Sequence, residues 1–166
     1  MRGTAMINRR VLPAATAVAV VAVTLTATPA AQADNKRLNN GVFANIYTAQ
    51  KQNGCPMDPL LNDRLTEAAR LHTLDVLANR NIDGDIGTDG STPQQRAEAA
   101  GFTGLVAQTV AINHSLAINN RDVLMQWWHD PAARATMEDC RYTQIGVWSE
   151  NSLDRSVVVA VYGQPQ

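Results

Sequence analysis

The sequence predicts an α+β domain in which helices pack on a small antiparallel sheet that ends in a C-terminal hairpin. Three observations predict it. Past residue 34, apolar residues recur every three or four positions, the mark of helices with one buried face. The end of the chain carries two runs rich in Val, Ile and aromatic residues, separated by a polar turn. Helices come first and the hairpin last, which favours segregated α+β layers over alternating β-α units. The length of 166 residues suits one domain.

The first 33 residues read as an export segment. Arg2, Arg9 and Arg10 form a basic start, Val11 to Val23 is an apolar run, and Ala31-Gln32-Ala33 is a small-x-small cleavage site. The run is too short and too broken by Thr and Pro to make a spanning helix. The residues flanking Arg9-Arg10 fit twin-arginine export poorly, so the general route is expected. Cleavage after Ala33 leaves residues 34–166, with 11 Lys and Arg against 15 Asp and Glu, a net charge of −4. No basic stripe survives, which argues against nucleic acid or an anionic membrane surface as partner. No anchor is expected after processing.

The elements follow in order. Leu38, Val42, Ile46 and Ala49 make one stripe of a helix over Asn35 to Asn53, closed by Asn53-Gly54. Asp58-Pro59 reads as the cap and first turn of a second helix, with Leu61, Leu65, Ala68, His72 and Val76 on one face. Residues 79–90, rich in Asn, Asp and Gly, form a loop. Thr92-Pro93-Gln94-Gln95 is a capping box that opens a short helix ended by Gly101. Leu105 to Asn113 is a strand with Val106, Val110 and Ile112 on one side. Asn120 caps a helix carrying Val123, Leu124, Trp127 and Trp128, and Asp130-Pro131 stops it. Strands over Tyr142 to Glu150 and Arg155 to Gly163 flank the turn at Asn151-Ser152-Leu153-Asp154. Cys55 and Cys140, an even pair in an exported chain, favour a disulfide closing a loop of about 85 residues.

The candidate chemistry is sparse. The histidines are His72, His114 and His129, and no two have zinc-ligand spacing. His72 sits on an apolar helix face, His114 in a loop and His129 at a helix end. Ser91, Ser115, Ser149, Ser152 and Ser156 lack a nucleophile-elbow context. Gly84, Gly87 and Gly90 recur every three residues but lack the strand-to-helix setting of a phosphate loop. Adjacent Trp127 and Trp128 imply one core ring and one half-exposed ring, the latter beside a groove open to a ligand.

Four segments together resemble the CAP superfamily, the SCP domain of cysteine-rich secretory proteins, antigen 5 and plant pathogenesis-related proteins. Leu71-His72-Thr73-Leu74-Asp75 resembles an early helix motif of that family. The run from Gly87 to Arg96, with Ala100-Gly101-Phe102 after it, is similar to the bacterial form. Val106 to Ala111 sits where bacterial members carry A-E-N-I-A. Arg141-Tyr142-Thr143-Gln144-Ile145, with Trp148 behind, resembles H-Y-T-Q-V-V-W with one residue inserted. The resemblance spans about residues 38–163 and implies an α-β-α sandwich with a central cleft, as in small exported bacterial members.

In many members two His and two Glu line that cleft and can hold a divalent metal. By resemblance the cleft His falls on Asp85, the first Glu on Gln108, the second Glu on Asp130, and the signature His on Arg141. A further bacterial His falls on Ala133. Zinc wants about three imidazole, thiolate or carboxylate ligands, and Gln108 is a weaker donor than Glu. A fixed cation about 4 Å away repels a unit charge by about 4 kcal/mol at an effective dielectric of 20. The expectation is a cleft without metal or other cofactor, in which Arg141 pairs with Asp85 or Asp130. His72, Asp85, Gln108, His129, Asp130 and Arg141 are thus the cleft candidates, and no residue is expected to be catalytic.

Several functions follow from this reading. One is a non-catalytic exported module that binds a lipid, a cell-wall fragment or a protein partner. Another is a hydrolase using His72 or His129 with a nearby carboxylate. The others are a CAP domain that still binds a divalent metal, and a domain for stability or surface display alone.

Overall fold

The structure, a computed structural model, describes residues 29–114 and 117–166, with side chains from Asn35 onward. Most of the expected export segment, and Ser115, lie outside the described residues. Among the described residues, five helices and four strands follow in the order α1 (Pro29–Gln52), β1 (Leu60–Leu61), α2 (Asp63–Ala78), α3 (Pro93–Ala99), β2 (Gly104–Asn113), α4 (Asn120–His129), α5 (Pro131–Glu138), β3 (Gln144–Asn151) and β4 (Ser156–Pro165). The sheet order is β1-β3-β4-β2. The three long strands pair antiparallel, and β1 adds a short parallel bridge to β3.

The central strand β4 divides the molecule into layers. Strand side chains alternate between faces, and both faces of β4 are apolar. Val158, Ala160 and Tyr162 join a core with Val42 and Ile46 of α1, Trp127 of α4 and Met137 of α5. Val157, Val159 and Val161 join a second core with Leu65, Ala68 and Val76 of α2, and with Ala97 and Phe102. The result is an α-β-α sandwich, with α1, α4 and α5 on one face of the sheet and α2 and α3 on the other.

Three local expectations are corrected. Asp58-Pro59 does not open the second helix. Leu60 N–H donates to Thr143 O and Asn62 N–H to Ile145 O, which draws these residues into the sheet. The cap is instead Asn62, whose side chain accepts from Arg64 N–H and Leu65 N–H, so Leu61 lies before the helix and is exposed. Asn119, not Asn120, caps α4. Asp130-Pro131 stops α4 and also starts α5, an unforeseen helix, because the Asp130 carboxylate accepts from Ala132 N–H and Ala133 N–H.

Helix α2 lies flush on β3 at one glycine. A Cβ added to Gly146 would stand 2.1 Å from the backbone of Leu65 and Thr66. Gly146→Ala is therefore expected to cost about 3 kcal/mol in urea unfolding, because backbone cannot move aside as a side chain can. A loss below about 1 kcal/mol would show that α2 slides freely over the sheet.

Candidate functional site

The 79–91 loop has no regular structure, so its carbonyls need donors from elsewhere. Three buried side chains supply them. Arg155, where β4 begins, donates to Asn79 O and Ile82 O. His72 on α2, 0% exposed, places Nε2 2.8 Å from Gly84 O, the geometry of an Nε2–H donor. Arg96 on α3, 8% exposed, donates to Asp85 O at 2.7 Å and Ser91 O at 2.6 Å. The capping box fixes where Arg96 stands: Gln95 N–H donates to the Thr92 hydroxyl and Thr92 N–H to the Gln95 side chain.

The same guanidinium reaches the cleft positions. Arg96 Nη2 donates to Gln108 Oε1 at 3.1 Å, and Gln108 Nε2 donates to Asp85 Oδ1 at 3.1 Å. Burial lowers the Arg96 pKa, while Asp85, Asp89 and Asp75 oppose that effect. The open groove beside this network measures about 800 Å³. Its polar wall is tied up locally, since Asp75 accepts from Thr88 N–H and Asp89 from Ser91 N–H.

Three of the six candidates therefore gather, namely His72, Asp85 and Gln108. His129, Asp130 and Arg141 do not join them. Arg141 is captured by the nearest carboxylate in sequence, with Nη2 2.6 Å from Asp139 Oδ2, and stands exposed. This overturns the expected pairing with Asp85 or Asp130. Asp130 is engaged as the α5 cap. His129 is exposed, its Nδ1 bonded to Met125 O. Ala133 packs against the core beneath α5. Of the two tryptophans, Trp127 is 2% exposed and Trp128 half-buried, its ring 4.0 Å from the Arg134 guanidinium. The groove beside Trp128 is small, about 280 Å³.

Sequence reasoning missed Arg96, although one cue was present. Neither the positions three away, Pro93 and Ala99, nor those four away, Thr92 and Ala100, offer a carboxylate. Arg96 therefore has no carboxylate at the spacings where helix side chains meet.

His72 gives the site a pH dependence. Burial lowers its pKa first, the Arg96 charge lowers it further, and Gly84 O, Asp75 and Asp85 act the other way. Its Nδ1 is buried without a partner. The folded pKa thus lies below the unfolded value of about 6.5. Its contribution is complete above that value and fades as pH falls toward the folded pKa. Urea midpoints between pH 7.5 and 5 are expected to decline for the wild type and to flatten for His72→Gln. Parallel curves would remove His72 as the cause.

A second concavity lies elsewhere. Asn35, Lys36, Asn39 and Asn40 of α1, Leu61 of β1, Asp63 and Thr66 of α2, and Val147, Trp148 and Glu150 of β3 line a groove of about 490 Å³. Sequence reading gave no sign of it, because its walls are far apart in the chain.

A five-helix, four-strand sandwich with a polar cleft between α2, α3 and β2 defines a CAP-type fold. The chain belongs to that family: residues 33–162 match the Cysteine-rich secretory protein family. Three solved structures share the fold. An outer surface protein of Borrelia burgdorferi has a TM-score of 0.68 at 19% identity, covering 79% of this chain and 95% of that one. An extracellular SCP-domain protein of Bacillus anthracis has a TM-score of 0.70 at 14% identity, covering 85% of this chain and 45% of that one. A cysteine-rich secretory protein of Staphylococcus aureus has a TM-score of 0.60 at 11% identity, covering 78% of this chain and 39% of that one. This chain therefore spans less than half of the latter two. A comparison with curated proteins finds no match.

The divalent ion that the family resemblance implies does not fit these residues. Among the described residues no three His, Cys, Asp or Glu side chains converge on a metal position. Gln108 is neutral, and a buried guanidinium stands within hydrogen-bond distance of it.

Proposed function

We propose that the chain is an exported CAP domain that binds a ligand without transforming it. One observation carries the reading: the polar groups of the cleft are hydrogen-bonded to one another and to the 79–91 loop. A general base must reach a substrate proton. His72 is buried and bonded to Gly84 O, and His129 stands apart on the surface. The groove beside Trp148 is the place for a ligand, since small-molecule sites of about 300–1,000 Å³ combine apolar walls with a few polar groups. Export is supported by the N-terminal segment and by two fold neighbours, one an outer surface protein and one an extracellular protein. Among the described residues no helix is long and apolar enough to cross a membrane.

The test is to purify the protein from an exporting host and extract it for mass spectrometry. A lipid, glycan or peptide retained in stoichiometric amount is the expected result. Alongside it, ester, peptide and peptidoglycan panels are expected to show no turnover that His72→Ala or His129→Ala abolishes. Turnover lost in either variant would replace this reading with a hydrolase.

A further inference from the structure

We propose that the seam between α2 and the 79–91 loop is an acid-sensitive latch: proton uptake by His72 loosens the loop from α2 and opens the groove that runs along the seam. It goes beyond the ligand-binding reading and holds with or without a ligand. The groove of about 800 Å³ spans the seam, with Leu71, His72 and Asp75 of α2 on one wall and Thr88 to Ser91 of the loop on the other. Two side-chain hydrogen bonds from α2 close it. His72 Nε2–H donates to Gly84 O at 2.8 Å, and Asp75 Oδ2 accepts from Thr88 N–H at 2.8 Å. The approach is tight, since a Cβ added to Gly87 would stand 3.1 Å from Asp75 Oδ2.

The other anchors of the loop do not respond to mild acid. Arg155 of β3–β4 holds Asn79 O and Ile82 O, and Arg96 of α3 holds Asp85 O and Ser91 O. A guanidinium keeps its charge throughout. His72 differs. With Nε2–H given to Gly84 O, its Nδ1 is buried and has no partner. A second proton placed there meets no acceptor, and an unmatched buried donor is costly, the more so when it is charged. Burial and Arg96 oppose the new charge, while Gly84 O, Asp75 of α2 and Asp85 of the loop favour it, and the balance holds the closed-seam pKa below the ordinary histidine value. Once the loop lifts, the imidazole meets water and recovers a value of about 6.5. The closed seam is therefore fully favoured above that value. The open form gains as pH falls below it, by about tenfold per unit at most. Openings of this kind expose one seam without unfolding the domain.

The experiment is amide hydrogen exchange followed by NMR on the folded chain from pH 7.5 to 5, with each rate corrected for its intrinsic pH dependence. Thr88 N–H reports the seam, and the amide of Val159, 0% exposed on central strand β4, reports global unfolding. Thr88 protection is expected to fall at least about fivefold over this range in the wild type. Val159 is expected to stay far better protected than Thr88 throughout. His72→Gln keeps a donor for Gly84 O but cannot take up a proton, and its Thr88 protection is expected to change less than about twofold. His114 and His129 are exposed and present in both proteins, so they cannot produce the difference. Asp75→Asn keeps an acceptor for Thr88 N–H and is expected to retain the wild-type fall. Should His72→Gln fail to fold, the wild type and Asp75→Asn decide. A flat wild-type profile, an equal fall in His72→Gln, or a fall abolished by Asp75→Asn would overturn the latch. Equal protection of Thr88 and Val159 at pH 5 would do so too, because the seam would then open only with the whole domain.

Discussion

Replacing both cysteines, as Cys55→Ala with Cys140→Ala, should lower the unfolding free energy by about 4.5 kcal/mol. The disulfide closes a loop of 85 residues, and tying so long a loop removes much of the unfolded chain's freedom. That loss is comparable to the whole stability of a marginal domain, about 5 kcal/mol. The native geometry is expected to survive, because the bridge is not alone at its junction. Gln50, 1% exposed, donates to Tyr142 O and Asp139 O, and Asn53 donates to Glu138 O. The double variant should therefore keep its far-ultraviolet spectrum in water and unfold at much lower urea. A loss below about 1.5 kcal/mol would mean that the unfolded chain is already compact around this junction.

Arg96→Met should cost about 3 kcal/mol, because it strips donors from Gln108 Oε1, Asp85 O and Ser91 O and leaves nearby carboxylates without their cation. The damage should be local. Amides of residues 79–91 should exchange faster with deuterium while the β4 amides stay protected. Adding Gln108→Leu should recover part of the loss, since removing both partners of a buried hydrogen bond is milder than removing one. Additive losses from the two changes would show that Arg96 and Gln108 do not act as a unit.

The layers of the fold were legible in the sequence because the core side chains obey simple periods. The stripe of Val42, Ile46 and Ala49 is a buried helix face, and the unbroken apolar run Val157 to Tyr162 is buried on both sides of the sheet. The capping box at Thr92 and the Cys55–Cys140 bridge also stand as expected. What escaped were features set by long-range hydrogen bonds. Residues 60–62 carry no strand period, and only bonds to Thr143 O and Ile145 O make them a bridge. Arg141 drew attention through motif alignment, but Asp139 two residues away holds it outside the cleft. Arg96 sat inside the matching motif but was given no role of its own. Its burial depends on four partner atoms spread over Asp85, Ser91 and Gln108 and on the helix that carries it. The groove at Asn39 and Trp148 needs α1 and β3 side by side, which no local pattern reveals.

A calorimetric titration of the oxidised protein with zinc, repeated on Asp85→Asn, is the shortest route to the main point. If the Arg96 guanidinium already holds the cleft's acceptors, no stoichiometric heat should appear and a chelator should leave the melting temperature unchanged. One equivalent of zinc bound at micromolar concentration or tighter, and released by Asp85→Asn, would contradict the account.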